Sequence, residues 1–388
     1  MPVSKHLQHI TSPEVREFIQ QNTGVDIHAF LLKKSPFAGI SIQELAQQIK
    51  GRQVAAKKFP FLNVPEALFP TGLSLEQSSS EATAKYKASL AKPGHTFLDL
   101  TAGFGVDAYF LAEKFEEATL VEQNAELLET VEHNWQILNI KADFVNSSLE
   151  FFLQENERHF DLIFLDPARR DASKRKVFLL EDLSPDFLSI QDELFEITDR
   201  ILLKLSPLID ITYLTEVLKN IAEIHIVAVK NDVKELLVLM DVETTAVIKV
   251  TAVNLETDEP DFTFYLNNKT AVADYSPVQK YLYIPNNAVM KTGAFSFIAH
   301  NYQLKKLHPN THFYTSDAEI PQFPGRIFEV EQVRSDSLKK GSQYHVISKN
   351  YPLKPEQLRK KYKLKDGGNQ FLIFTEDVCG KIILKSVV

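Results

Sequence analysis

A glycine-containing turn between an apolar run and an amphipathic segment is the clearest chemical feature of the sequence. Residues 96–107, TFLDLTAGFGVD, predict a buried strand that ends at Asp99 and passes through Gly103 and Gly105 into a helix. Glycines in such a turn permit positive φ and let a ligand approach the main chain. The next apolar run, ATLVE, ends in Glu122, where an acidic side chain can bind both hydroxyls of a ribose. The pattern predicts a nucleoside-containing cofactor.

The residues after the turn indicate which kind of cofactor this is. A dinucleotide-binding loop carries a third glycine that brings the helix N-terminus against a pyrophosphate. Ala108 stands at that position here, and the preceding Asp107 would repel a phosphate. A strand-end carboxylate, two glycines and an acid on the second strand instead suit adenosine joined to a zwitterionic amino acid. These residues favour an adenosyl amino acid over NAD.

Two further strand ends carry charged residues that point to a reaction centre. The run FDLIFLDPARRD ends a predicted strand at Asp166, and ligands of doubly wound sheets react at the carboxyl ends of strands. Arg169 and Arg170 follow, and they either bind a phosphate or neutralise Asp166 and Asp171. The run LLKLSP places Lys204 inside an apolar strand, where a buried ammonium needs a partner. Asp166 is the predicted partner, and the alternative is that the lysine reaches solvent.

The turn and Glu122 together resemble class I S-adenosylmethionine-dependent methyltransferases. The resemblance implies that Asp99 orients the methionine end, that Thr101, Gly103 and Gly105 let the cofactor lie over the turn, and that Glu122 holds the ribose. Polar residues elsewhere complete the predicted cofactor site: Gln77 and Ser79, with Thr83 and Lys85, on a covering helix, and Asn146, Ser147 or Ser148 beside the adenine. The Asn-Ser-Ser run is equally typical of an ordinary helix cap.

The tetrad Asp166-Pro167-Ala168-Arg169 resembles the D-P-P-x element of methyltransferases that act on exocyclic amines of bases. In that element the acid and a proline-fixed carbonyl accept hydrogens from the target nitrogen, which makes Asp166 and Pro167 candidate catalytic residues; Ala168 replaces the second proline. Methylation of pyrimidine carbon needs a cysteine nucleophile, and the only cysteine, Cys379, lies in the terminal region.

An Asp166–Lys204 pair is also similar to the centre of ribose 2′-O-methyltransferases, in which a lysine activates the hydroxyl. Lys85 and Glu235 are possible further members of such a centre. The acceptor atom therefore stays open between a base amine, which we place first, and a ribose oxygen.

Short apolar runs alternate with helical stretches between residues 95 and 229, which predicts a Rossmann-like, doubly wound α/β sheet. The runs are TFLDL, ATLVE, ADFVN, FDLIFLD, RILLKLS and IHIVAVK, and TTAVIKVTAVNL with FTFYL would add an edge hairpin. We predict four regions. They are a helical N-terminal region at 1–70, a methyltransferase domain at 71–268, a small α+β module at 269–324 and a basic module at 325–388.

Charge is distributed unevenly along the chain. Residues 326–388 have thirteen basic and seven acidic residues, a net charge of +6, although the whole chain carries −8. The order of motifs with this basic end resembles a bacterial methyltransferase family that has a ferredoxin-like insert and a C-terminal THUMP-like domain. That resemblance implies binding of structured RNA. The candidate RNA-binding residues are Arg169, Arg359, Lys360, Lys361 and Lys363, with Lys354, Lys365 and Tyr362 nearby; a helix that is merely solvated would carry the same charges.

Composition bounds the remaining possibilities. Hydrophobic residues make up 44% of the chain, no apolar run is long enough to span a bilayer, and one cysteine provides neither a disulfide framework nor a Cys-rich zinc site. The sequence thus predicts a cytoplasmic S-adenosylmethionine-dependent methyltransferase that acts on RNA and uses no metal. The alternatives are a non-catalytic RNA-binding protein that retains the fold and, third, an NAD-dependent dehydrogenase.

Overall fold

The computed structural model describes residues 9–169, 179–244, 247–266 and 272–387. The chain forms two compact units. The first consists of Met1–Ala222 with Leu236–Thr245, and the second consists of Glu223–Glu235 with Ala246–Val388. The strands Ile221–Val229 and Asp232–Asp241 each run across this division.

The first unit begins with helices that pack around their own apolar core. They are α1 (Pro13–Gln21), α2 (Ile27–Leu31) and α3 (Ile42–Lys58). Asp26 caps α2 by accepting a hydrogen bond from the Ala29 amide, and Ser41 with Glu44 forms a capping box at α3. Leu45 and Ile49 lie on the buried face of α3, and Ala55 continues it.

The proline-rich segment 59–72 is held in place by side chains of α3 and of a later helix. Prolines cannot donate backbone hydrogen bonds, so an extended segment of this kind needs partners from outside. The contacts are Gln48 with the amide and carbonyl of Phe69, Asn134 with the amide and carbonyl of Leu68, and Arg52 with the carbonyls of Val64 and Pro65. The segment is therefore fixed immediately before the helix that precedes the candidate active site.

Alternating helices and strands follow, as the sequence predicts. The elements are α4 (Gly72–Gln77), α5 (Glu81–Leu90), β1 (Gly94–Asp99), α6 (Val106–Ala112), β2 (Phe115–Glu122), α7 (Ala125–Ile137), β3 (Asp143–Asn146), α8 (Leu149–Glu155), β4 (Leu162–Leu165), β5 (Ala168–Arg169), β6 (Leu183–Ser184), α9 (Phe187–Ile197), β7 (Arg200–Leu205), α10 (Ile211–Val217), β8 (Ile221–Val229) and β9 (Asp232–Asp241). Strands of the first unit lie in the order β9-β7-β4-β1-β2-β3. β9 runs antiparallel to β7 and the other neighbours are parallel.

This order positions the candidate site. β1 pairs with both β2 and β4, so the strand order reverses at β1 and the carboxyl ends of all three strands lie at one edge. Asp99, Glu122 and Asp166 each stand at or just beyond one of those ends. A crevice at such a switch point is where ligands bind in open α/β sheets.

The second unit has strands of two sheets, because β8, β10 and β11 belong to the same nine-stranded sheet as β1 and its neighbours. Its elements beyond β8 are β10 (Ile248–Leu255), β11 (Phe262–Leu266), β12 (Tyr281–Pro285), α11 (Asn287–Lys291), α12 (Phe295–Asn301), β13 (Lys305–Lys306), β14 (Tyr314–Ser316), β15 (Gly325–Gln332), β16 (His345–Ser348), α13 (Pro355–Tyr362), β17 (Phe371–Asp377) and β18 (Gly380–Ser386). β10 and β11 form the predicted antiparallel hairpin, and β8 pairs parallel with β10. Seven strands make the other sheet, in the order β13-β14-β12-β15-β18-β17-β16.

Membrane-spanning helices and clusters of metal-ligating side chains are both absent from the described parts of the chain. Within residues 9–169, 179–244, 247–266 and 272–387, no helix is both long and apolar enough to cross a membrane. Over the same ranges, no group of histidine, cysteine, aspartate or glutamate side chains is arranged to hold a metal ion.

Candidate active site

The two glycines of the turn have different surroundings. Both have positive φ, +51° at Gly103 and +71° at Gly105. A Cβ atom added to Gly103 would meet nothing closer than the Thr101 carbonyl oxygen at 3.8 Å, whereas one added to Gly105 would lie 2.8 Å from Val131 Cγ1. Gly103 therefore leaves open space above the turn, and Gly105 permits close packing against α7.

Two carboxylates hold the turn in shape. The Thr101 amide donates to Asp99 Oδ1 at 2.9 Å, and the Gly103 amide donates to Glu122 Oε2 at 3.0 Å. Glu122 Oε1 also accepts from the Asn124 amide at 2.8 Å. Glu122 at the end of β2 thus contacts the glycine turn, and a ligand bound over that turn would lie next to its carboxylate.

Asp99 is buried at the bottom of the turn. Burial raises the pKa of its carboxyl well above the ordinary value, and the nearby Asp107, Asp166 and Glu122 raise it further, against the opposing effect of the Thr101 hydrogen bond. Four carboxyl groups therefore converge on one edge of the sheet. Such a cluster favours a ligand that carries positive charge.

Asp166 and Lys204 form the predicted ion pair at the ends of β4 and β7. The lysine side chain is 12% exposed and that of Asp166 is 39% exposed, so the carboxylate faces outward and the ammonium lies behind it. The Asp166 amide donates to Thr101 Oγ1 at 2.7 Å. Thr101 therefore joins the glycine turn to the candidate catalytic acid, a role that the sequence did not suggest.

Lys87 on α5 is a member of the site that sequence reasoning missed. Its side chain is fully buried, and its Nζ lies 3.2 Å from Asp107 Oδ1. The signal for it was the helix period, since Thr83, Ala84, Lys87 and Ala88 form the buried face of α5. A lysine on such a face needs an anionic partner.

The other residues predicted for the site have different surroundings. Lys85 is exposed on α5 and pairs with Glu81 at 2.6 Å, so it is not part of the Asp166–Lys204 centre, and the prediction that included it is wrong. Gln77 is exposed at the end of α4. Ser79 is buried and donates to Asp107 Oδ2 at 2.7 Å. Glu235 is buried in β9.

The residues predicted to lie beside the adenine make local contacts. Asn146 Nδ2 donates to the carbonyl oxygens of Glu122 and Gln123, at 2.8 and 3.1 Å, which ties the ends of β3 and β2 together. Ser148 caps α8 by accepting from the Phe151 amide at 3.2 Å. The cap interpretation therefore has a contact to support it, and the role in cofactor binding stays a prediction.

The tetrad after β4 is described only in part. Pro167 is buried, and Ala168 and Arg169 form the short strand β5, which pairs with β6. Arg170 and Asp171 lie outside the described residues, so the ion pairs considered for them are untested.

In the second unit, α13 presents the predicted basic face. Lys360, Lys361 and Lys363 are exposed, as are Lys354 and Lys365. Arg359 is partly buried and pairs with Asp366 at 3.1 Å, so its charge is already neutralised within the chain. Tyr362 stacks on Phe374, at 5.6 Å between ring centroids, and therefore anchors the helix to its sheet.

The residues at the switch point fit an adenosyl sulfonium cofactor. The open space above Gly103 would be filled by any side chain at that position, and a ligand there would lie next to Glu122 and above Asp99. The surrounding carboxylates suit a molecule with an ammonium group and a sulfonium centre better than one with a pyrophosphate. Asp99, Gly103 and Glu122 are the residues that would hold it.

Three protein-family models match the chain. The family described as conserved hypothetical protein 95 matches residues 48–183, a ferredoxin-like domain matches 281–324, and a THUMP-like domain matches 325–384. The first match contains the glycine turn, Glu122 and Asp166. The other two meet between residues 324 and 325.

The known proteins that resemble this chain differ in how much of it they match. A crystal structure of a candidate methyltransferase from Porphyromonas gingivalis W83 is 30% identical, covers 97% of each chain and superposes with a TM-score of 0.85. An uncharacterised RNA methyltransferase of Mycoplasma mobile is 32% identical over 89 residues, which are 23% of this chain and only 24% of that protein. The TrmK structure from M. capricolum with S-adenosylhomocysteine is 13% identical, with a TM-score of 0.34 over 42% of this chain and 68% of that one.

Proposed function

The chain belongs to the methyltransferase family of the Porphyromonas gingivalis protein, with which it aligns over 97% of its length, and we propose that it methylates structured RNA at the edge of the sheet where Asp99, Glu122 and Asp166 lie. The predictions of an α/β methyltransferase fold, of the family and of S-adenosylmethionine as methyl donor are thereby confirmed. The family assignment also removes the dehydrogenase alternative. The acceptor, the roles of individual residues and the RNA partner belong to the proposal.

The observation that carries the proposal is that Asp166 lies next to the glycine turn, joined to it through Thr101 Oγ1. When bound, S-adenosylmethionine supplies an electrophilic methyl group on a sulfonium sulfur. In this proposal Gly103 leaves space for the cofactor, Glu122 would bind its ribose, and Asp99 would bind its ammonium group; the open space at Gly103 and the contacts of both acids with the turn support these roles. A half-exposed carboxylate at the adjacent strand end can then bind the acceptor.

The acceptor that suits this carboxylate best is an exocyclic amine of a base. Asp166 would accept a hydrogen bond from the amine, with the Pro167 carbonyl as a second acceptor, and would receive the proton that leaves once the nitrogen has gained the methyl group. Most of the acceleration would come from orienting the two reactants. A ribose 2′ oxygen is the second candidate, because Lys204 lies beside Asp166.

The THUMP-like match and the exposed lysines of α13 support RNA as the substrate. Lys360 and Lys361 at the end of α13 and Lys363 just beyond it can contact neighbouring phosphates, and the stacking of Tyr362 on Phe374 fixes the direction in which the helix end presents them. We further propose that the protein works in the cytoplasm, since its one cysteine fits a reducing compartment.

The test is transfer of tritiated methyl from S-adenosylmethionine to total RNA from a strain that lacks the gene. We expect the wild-type protein to label this RNA, Asp166→Ala to label it at least about 100-fold more slowly, and RNA from the parent strain to accept little. Nucleoside analysis of the product then distinguishes a base amine from a ribose oxygen. RNA binding without any methyl transfer would support the non-catalytic alternative.

A further inference from the structure

Lys204 lies between two carboxylates on different elements. It pairs with Asp166 at the end of β4, and its Nζ is 4.0 Å from Asp107 Oδ2 on α6. On its other side, β9 places Leu237 opposite it in the strand register. A lysine that faces two anions in a largely buried position is stabilised in its charged form.

Asp107 also contacts two buried residues. Lys87 contacts its Oδ1 at 3.2 Å and Ser79 donates to its Oδ2 at 2.7 Å. Because Lys87 is fully buried, an ammonium there is stabilised by an ionised carboxylate at Asp107. Two lysines and two aspartates therefore form a row of alternating charges, in the order Lys87, Asp107, Lys204, Asp166. This charge chain begins on the buried face of α5 and ends at the partly exposed carboxylate of Asp166.

We propose that this charge chain keeps Lys204 as a permanent ammonium whose function is to orient Asp166, with Asp107 and Lys87 as positioning residues. The inference rests on the proposed function only in assigning the acceptor-binding role to Asp166. It implies that Lys204 does not remove a proton, because a general base must be neutral before it acts. A hydroxyl activated by lysine is therefore disfavoured, and an amine that needs only an acceptor is favoured.

The charge of Lys204 can be measured without cofactor or RNA. Protein with ¹³Cε-labelled lysine is titrated by NMR, and the Lys204 resonance is assigned by its disappearance in Lys204→Arg. Asp166 and Asp107 face Lys204, the cation of Lys87 lies behind Asp107, and the buried Glu235 stands two residues before Leu237 on β9. We expect no titration of Lys204 below about pH 9. A midpoint below about pH 9 would overturn the proposal.

The positioning role has its own kinetic test. The double variant Lys87→Met with Asp107→Asn removes one charge of each sign, so that no buried ion is left without a partner. We expect kcat to fall at least about tenfold, with KM for cofactor and RNA changed less than about threefold, because orientation at the reacting centre is impaired. An unchanged kcat would contradict the role.

A matched control lies on the same strand. Arg200 begins β7 and pairs with Asp241 at 2.8 Å, four residues from Lys204 and away from the carboxyl ends. The double variant Arg200→Met with Asp241→Asn should keep kcat within about twofold, and a decrease as large as that of the first double variant would also refute the specific role. If wild-type protein transfers no methyl group to any RNA, the proposed function fails, while the NMR titration still decides the charge of Lys204.

Discussion

The Asp166 amide donates a hydrogen bond to Thr101 Oγ1 at 2.7 Å. This hydrogen bond joins the turn after β1 to the residue after β4, two places 65 residues apart in sequence. Since the turn is the predicted cofactor site and Asp166 the predicted acceptor site, one hydroxyl fixes the spacing between the two reactants. The two sites can therefore be perturbed separately, by substitutions on either side of this hydrogen bond.

Removing the Asp166 side chain should affect turnover and not cofactor binding. Asp166→Ala is expected to lower kcat about 100- to 10,000-fold, the range for removal of an acid–base group, while leaving the Kd for S-adenosylhomocysteine within about threefold. Single-turnover kinetics and calorimetry measure the two quantities. A variant that loses both together would indicate that Asp166 contacts the cofactor instead.

Substitutions of the two glycines in the turn should have different effects on cofactor affinity and on stability. Gly103→Val points its side chain into the open space above the turn, so we expect a Kd for S-adenosylhomocysteine at least about tenfold higher, and the strain of positive φ should cost about 1–2 kcal/mol of stability. Gly105→Ala adds the same strain and brings Cβ to 2.8 Å from Val131, so stability should fall further, by about 1–3 kcal/mol more. Equal cofactor affinities in the two variants would contradict the different roles.

The Asp99 carboxyl should lower the free energy of unfolding at neutral pH. Burial raises its pKa, so between the ordinary value of 3.8 and the raised value the folded protein binds a proton that the unfolded chain releases. Stability then falls as pH rises through that window, by about 1.4 kcal/mol for each pH unit. Asp99→Asn should therefore melt higher than wild type at pH 7.5, and the difference should shrink toward pH 4. The same variant should bind cofactor more weakly; a pH-independent difference in Tm would contradict the assignment.

The exposed lysines at the end of α13 and just beyond it should account for the salt dependence of RNA binding. Changing Lys360, Lys361 and Lys363 to Ala should weaken binding and reduce the slope of log K against log salt by about 0.7–0.9 for each phosphate that a lysine no longer neutralises. The control changes three exposed lysines of the first unit, Lys33, Lys34 and Lys114, and should leave the slope unaltered. Equal slopes in the two triple variants would place the RNA-binding surface away from α13.

The positions of charged residues at strand ends could be predicted from the sequence. Asp99, Glu122, Asp166 and Lys204 follow or end apolar runs, and parallel strands bring such ends to one edge of the sheet. Local caps and turn glycines were equally accessible to prediction. The strand β9 was missed, because its run DVKELLVLMD begins with alternating charges and follows the preceding strand after only two residues.

Interactions that depend on packing between elements could not be predicted. Choosing Lys87 over Lys85 required the phase of α5 relative to the sheet, which tertiary packing sets. Ser79 is buried, and its partner Asp107 depends on how the helices α5 and α6 meet. The support of segment 59–72 by Gln48 and Asn134 likewise joins residues that are far apart in sequence.

Calorimetric titration of S-adenosylhomocysteine into wild-type protein and into Glu122→Gln tests the central claim most directly. We expect one site per chain for the wild type and an affinity lowered about 10- to 100-fold in the variant, because the ribose loses a hydrogen bond to a charged acceptor. Glu126→Gln, an exposed acid on α7, should bind like wild type. No binding to the wild type, or equal binding to both proteins, would contradict the assignment of the turn and Glu122 as the cofactor site.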